Sequence, residues 1–200
     1  MDLQTAETLA LTLMDKFGLL PAWQFKWDSA KKRFDRCNYQ KKVISLSRHL
    51  TKINPQVHVE DTIRHEIAHA LDAEDRGKSD HSHHWKRWAR KCGANTDRCY
   101  SSFQVNTPEA PFYTYCPNCE TYSPRYRRIK NGRIYACGQC SRSFNPDFAI
   151  VSNILLMEKK RLEEGQLNWY ELPQASKIAR YFEERRANTL YLRRFRKKMD

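Results

Sequence analysis

Two hundred residues and 23.8 kDa are enough for one ordinary domain, or for a domain with a small appendage. Mean hydropathy is −0.84 and 30% of residues are charged, yet 12% are aromatic, including five Trp and nine Phe, which argues against a wholly disordered chain. No apolar run approaches the roughly 20 residues that span a bilayer. The N-terminal stretch Met1–Leu20 has acids ahead of its apolar part and no basic n-region, so no signal peptide is expected. Lys and Arg outnumber Asp and Glu by 36 to 23, a net charge of +13 that favours polyanionic partners. The excess is uneven: +4 over residues 1–110, +4 over the much shorter 111–153, and +5 over 154–200.

Residues 3–20 carry Leu3, Leu9, Leu13, Phe17 and Leu20 near helical spacing, and Gly18 with Pro21 marks the stop. Trp23, Phe25 and Trp27 alternate with polar residues, the pattern of a half-buried strand. Two more extended stretches, Phe34–Tyr39 and Val43–Ser47, follow across short connections, and the three together predict an antiparallel meander. From Val59 the period changes to that of a helix: Ile63, Ile67, Ala70 and Leu71 share a face, Glu60 and Asp61 fall in the expected first turn, and Gly77 follows. Trp85, Trp88, Ala89 and Cys92 predict a second helix closed by Gly93. Residues 94–115 lack periodicity and contain Pro108 and Pro111, which predicts a linker. The C-terminal stretch reads as helix over Ile150–Glu164, a break near Gly165 and Pro173, and helix again from Ser176.

His65-Glu-Ile-Ala-His69 places two imidazoles on the predicted helix about 40° apart and roughly 6 Å along its axis. Such a pair can grip one Zn²⁺, with Glu66 placed to take a proton from an activated water. A catalytic zinc needs a third protein ligand, and Asp80-His-Ser-His-His84 lies about twelve residues downstream. Spacing alone does not choose among His81, His83 and His84. Cys116-x₂-Cys119-x₁₇-Cys137-x₂-Cys140 has the spacing of two knuckles closing a tetrahedral, structural Cys₄ zinc site. Cys37, Cys92 and Cys99 read as small buried hydrophobes. Within the Cys-rich segment, Arg125, Arg127, Arg128, Lys130, Arg133 and Arg142 interleave with Tyr122, Tyr126, Tyr135 and Phe144. Guanidinium groups pair with phosphates and exposed rings stack on unpaired bases, so Arg125, Tyr126, Arg127, Arg128, Lys130 and Arg133 are candidate nucleic-acid contacts. A further basic cluster, Arg193-Arg-Phe-Arg-Lys-Lys198, reads equally as a phosphate-contacting or a solvated terminal helix.

Residues 20–95 resemble the SprT-like zinc metalloprotease family, the SprT and Spartan type. The matching pieces are Trp23-x-Phe-x-Trp27, Phe34-x-x-Cys37-x-Tyr39, Val43-Ile-Ser-Leu-Ser47, Asp61–Leu71 around His65-Glu-Ile-Ala-His69, and His81-x-x-x-Trp85 leading to Lys91-Cys-Gly-Ala94. The family's third zinc ligand opens an H-G-x-x-aromatic motif, which the resemblance assigns to His81 with Trp85 as the aromatic; Ser82 stands where Gly is usual. The expected fold is α+β: a compact zincin-like domain over residues 1–110 with an N-terminal helix, a three-stranded antiparallel sheet, the HExxH helix and a following helix. A zinc ribbon is expected over 111–148 and a basic helical tail over 149–200. The expected activity is that of a zinc endopeptidase with Glu66 as general base, using two zinc ions, one catalytic and one structural. The resemblance implies DNA as partner, single-stranded or at junctions, and substrates that are proteins bound or crosslinked to DNA, in a DNA-stimulated repair reaction. An intracellular monomer off the membrane is expected, in the cytoplasm or nucleoid of a prokaryotic or phage host or in a eukaryotic nucleus. The rival reading is a non-catalytic DNA-binding zinc protein linked to transcription. Tyr100, Tyr113 and Tyr115 are candidates for assisting an oxyanion.

Overall fold

The computed structural model describes residues 1–96, 105–130 and 133–200, and divides the chain into two compact units, Met1–Pro108 and Glu109–Asp200. Both mix helices with small sheets, the α+β class expected.

In the first unit α1, Leu3–Lys16, starts at Asp2, whose carboxylate accepts from the Thr5 N–H at 2.9 Å. Its buried side is Ala6, Ala10, Leu13 and Met14; alanines one turn apart let the helix lie close to its neighbours. Strands β1 (Gln24–Asp28), β2 (Asp35–Asn38) and β3 (Val43–Ser47) follow. They do not form the expected meander. The order is β1-β3-β2, with β1 parallel and β2 antiparallel to β3. The cause is burial: Ile44–Ser47 are four successive buried residues, which only a central strand provides, so β3 separates the other two. Asp28 holds the β1–β2 connection, accepting from the Ala30 N–H and the Ser45 hydroxyl and pairing with Arg33.

Ser47 then caps a short helix that the pattern did not predict, α2 (Arg48–Ile53). The long helix α3 runs Gln56–Arg76, starting three residues before the periodicity, so Glu60 and Asp61 lie in its second turn. Val59, Ile63, Ile67, Ala70 and Leu71 form its buried face, and Gly77, at φ 71°, closes it. The next helix, α4 (His83–Cys92), ends at Gly93 in the same left-handed conformation. Part of the expected linker is stitched to this unit. Buried Asn54 accepts from the Asn106 N–H at 2.7 Å and donates to the Asn106 carbonyl at 2.9 Å, and Val105 packs on the core.

In the second unit β4 (Phe112–Tyr115) lies between β5 (Tyr122–Arg125) and β6 (Val151–Leu155), antiparallel to both. All five residues of β6 were expected to be helical. Val151 and Ile154 are instead both buried in the core of this unit, three residues apart across a register shift in the β4–β6 ladder, and α5 begins only at Leu156 and runs to Glu163. Pro173 starts α6 (Pro173–Glu184) rather than breaking it, since a first-turn residue needs no intrahelical N–H bond. With α7 (Leu190–Met199), these helices share one core with β4 and β6: Val151, Ile154, Leu172, Phe182, Tyr191 and Leu192 are buried together. Residues 149–200 are thus packed into the Glu109–Asp200 unit rather than trailing from it.

Candidate metal centres

One turn apart on α3, His65 and His69 bring their Nε2 atoms to 3.2 Å from each other. The loop after Gly77 returns His81, whose Nε2 lies 3.2 Å from both. Four-coordinate zinc with bonds of about 2.0 Å requires nitrogen separations of about 3.3 Å, so this triangle fits the ion and leaves a fourth position open. Burial pushes the imidazoles of His65 down to about 4 and His69 to about 3, keeping both neutral and ligand-ready at physiological pH. Trp85, fully buried on α4, backs the cluster with its ring 4.6–5.2 Å from the three imidazoles. His83 and His84 stack on each other in the first turn of α4 and are not part of the cluster.

Outer partners lock this arrangement. His69 Nδ1 lies 2.7 Å from Ser79 Oγ, which directs Nε2 toward the other two rings. Fully buried Asp72, one turn after His69, takes both arms of Arg76 at 2.8 and 2.6 Å, and Arg76 also reaches Asp80 at 3.2 Å. Asp80 accepts from the Ser82 N–H at 2.9 Å, so Arg76 ties the His81 loop to α3 through Asp80. Motif spacing gave no sign of this strap, although Asp72 and Arg76 are a recognisable i,i+4 ion pair.

Glu66 points away from solvent, 4% exposed, with a carboxylate oxygen 4.0 Å from His65 Nε2. Strand β2 lies against it, with the Cys37 backbone N–H and the Asp35 carboxyl facing Glu66 from alternate residues of the strand. Burial, reinforced by the facing Asp35 carboxyl, pushes the Glu66 carboxyl well above the usual range, and burial lifts Asp35 to about 6. Asp35 was missed by the sequence reading, because nothing local shows that β2 crosses α3 at Glu66.

In the second unit the four thiols Cys116, Cys119, Cys137 and Cys140 converge within 4.8 Å, with Cys116–Cys140 at 3.8 Å and Cys119–Cys137 at 3.7 Å. A zinc tetrahedron with sulfur bonds of about 2.3 Å has edges of about 3.8 Å, so the donor set fits that ion and closes all four positions. Cys37 and Cys92 are free thiols whose burial raises them, Cys92 to about 11, which suits inert packing groups; Cys99 lies outside the described residues. Arg125, Arg127, Arg128, Lys130 and Arg133 are exposed and Tyr126 is half-buried. Tyr122 stacks on Tyr115 at 4.8 Å within the unit, whereas Tyr135 and Phe144 present accessible rings. Tyr113 and Tyr115 lie on β4 of the second unit, and Tyr100 lies outside the described residues.

A small α+β domain whose long helix sets a buried glutamate beside three converging imidazoles is a zinc-metalloprotease-like domain. The model of the SprT-like family matches residues 4–108, and the chain belongs to that family. No curated protein and no solved structure matches it.

Two outcomes test this geometry. Arg76→Met should weaken zinc binding at the three-histidine site by about 10-fold or more, the usual scale for outer partners, in chelator competition; unchanged affinity would show that the strap does not position His81. In chelator-treated protein, Asp35→Asn should be more stable than wild type, by a margin that widens from pH 5 to pH 8. Acids raised in the folded state stabilise it below their unfolded values and lose that contribution as pH rises through the folded ones, while the histidine contributions cancel in the comparison. A pH-independent margin in thermal melts would contradict the buried carboxyl pair.

Proposed function

We propose that the protein is a zinc-dependent endopeptidase that cleaves proteins bound or crosslinked to DNA, stimulated by the DNA itself. The observation that carries the peptidase reading is Glu66, buried and braced from two sides beside the three-imidazole triangle. A purely structural three-histidine site has no use for a carboxylate there. Zinc held by His65, His69 and His81 would supply Lewis acidity to water and to the scissile carbonyl. Glu66 takes the proton of the attacking water and returns it to the leaving amine, a role its position 4.0 Å from His65 Nε2 allows. Asp35 and the Cys37 N–H orient Glu66, and His65 and His69 stay neutral because burial keeps protons off them. Ser79 and the Arg76 strap hold the triangle in place.

The DNA reading is supported by the second unit. Residues 111–200 hold 18 basic against 9 acidic residues, and between Thr121 and Asn145 there is no acid at all. Five exposed cations run from Arg125, at the end of β5, to Arg133, and Tyr135 and Phe144 offer accessible rings for unpaired bases. The Cys₄ site, with zinc as its structural ion, holds this surface. Such substrates place the protein inside the cell, with the chromosome.

Glu66→Gln should retain zinc and fold but abolish cleavage of a DNA-bound protein substrate; turnover near the wild-type rate would remove Glu66 from the role of base. Replacing Arg125, Arg127 and Arg128 together with Ala removes up to three phosphate contacts, each worth about 0.7–0.9 counterions. The slope of log affinity against log salt should flatten by about two to three units, and DNA-stimulated cleavage should fall with it. An unchanged slope would move the contact surface elsewhere, with the basic residues of α7 as the next candidates.

A further inference from the structure

The C-terminal helix reaches the Cys₄ site through Arg194. Arg194, half-buried on α7, donates from Nη1 to the Pro117 carbonyl at 3.1 Å and from Nη2 to Asn118 Oδ1 at 2.7 Å. Pro117 and Asn118 are the two residues between Cys116 and Cys119. The Asn118 amide nitrogen in turn lies 3.2 Å from Cys140 Sγ, in the other knuckle. Three hydrogen bonds therefore join α7, the first CxxC and a sulfur of the second. An amide can face either way, but with its oxygen engaged by a guanidinium its N–H₂ must face the sulfur.

We propose that Arg194 is the positioning residue of the Cys₄ metal site, fixing Asn118 so that its amide donates to the Cys140 thiolate. The inference rests on the reading that the four cysteines hold a metal ion. Four thiolates around a divalent ion leave a net charge of about −2. An N–H donated to sulfur, backed by a cation one bond further out, draws off part of that charge and holds the ligand in place. A planar fork is needed, because one arm must take the carbonyl while the other takes the amide oxygen; a lysine offers a point charge instead. Two other cations of α7 are engaged elsewhere, Arg193 with Asn188 at 3.1 Å and Arg196 with Glu183 at 3.4 Å. The start of the helix is anchored too: the Leu190 N–H donates to Asp147 Oδ1 at 2.9 Å, just beyond the second knuckle. The role this gives the C-terminal segment is to brace the metal site from outside the ribbon.

The test uses the full chain loaded with Co²⁺, whose sulfur-to-cobalt charge-transfer absorption reads the cysteine site and is silent on a histidine site. Decay of that band in excess chelator is followed for wild type, Arg194→Gln, Asn118→Ala, the double variant, and Arg193→Gln as a control for helix charge. The expected result is release about 10-fold faster in each of the first two variants, no further acceleration in the double variant, and a wild-type rate in Arg193→Gln. Effects that multiply in the double variant, or wild-type release from Asn118→Ala, overturn the proposal. Asn118→Ala leaves the packing of α7 intact, so it decides the matter even where Arg194→Gln loosens the helix. If no charge-transfer band develops in wild type, the metal reading of the four cysteines fails; a normal band with unchanged release rates defeats the brace alone.

Discussion

Burying a carboxyl beside three imidazoles is the constraint that organises the first unit. Polar groups removed from water are costly unless each finds a partner, and charged ones more so. The fold meets the cost from three directions. Strand β2 crosses α3 to supply the Asp35 carboxyl and the Cys37 N–H to Glu66. Trp85 of α4 covers the imidazoles, and the loop after Gly77 is drawn down by the Asp72–Arg76–Asp80 strap so that His81 completes the triangle. The central position of β3 matters here, because it leaves β2 at the sheet edge that lies against α3.

The second unit solves a different problem. The knuckles themselves bury almost nothing: Cys116, Cys137 and Ile150, with Phe148 and Cys140 packed against them. Cores that small need a staple, and four convergent thiols are one. The rest of the unit supplies what the ribbon lacks, a second hydrophobic cluster from β6, α6 and α7 beneath the sheet. This arrangement leaves the cations after β5 exposed while the helices behind the sheet bear the packing.

What was legible in the sequence was whatever a fixed period encodes. Four-residue spacing on a helix placed His65 and His69 together, and the paired CxxC spacing placed the four thiols, because both depend on local geometry. Glycines at 77 and 93 marked helix ends for the same reason. Choosing His81 over His83 and His84 needed a family resemblance, since all three lie within four residues of each other. Long-range pairings stayed hidden. The parallel β1–β3 register, the approach of Asp35 to Glu66, and the reach of Arg194 to Asn118 each join residues that no periodicity relates. Val151–Leu155 was misjudged because Val151, Ile154 and Leu155 have the i, i+3, i+4 spacing of a helix ahead of a charged stretch, and only pairing with β4 makes the segment a strand. Of the interleaved aromatics, Tyr122 is paired with its cross-strand neighbour Tyr115, a partner that spacing does not reveal.

The central claim is that His65, His69 and His81 form one metal site with an open position beside Glu66. Anomalous diffraction at the zinc edge, from crystals of the zinc-loaded full chain, tests it most directly. The account predicts a peak about 2.0 Å from the Nε2 atoms of all three histidines, together with a second peak at the centre of the four cysteine sulfurs. A single peak at the cysteines, or a zinc ligated by His83 or His84 in place of His81, would contradict it.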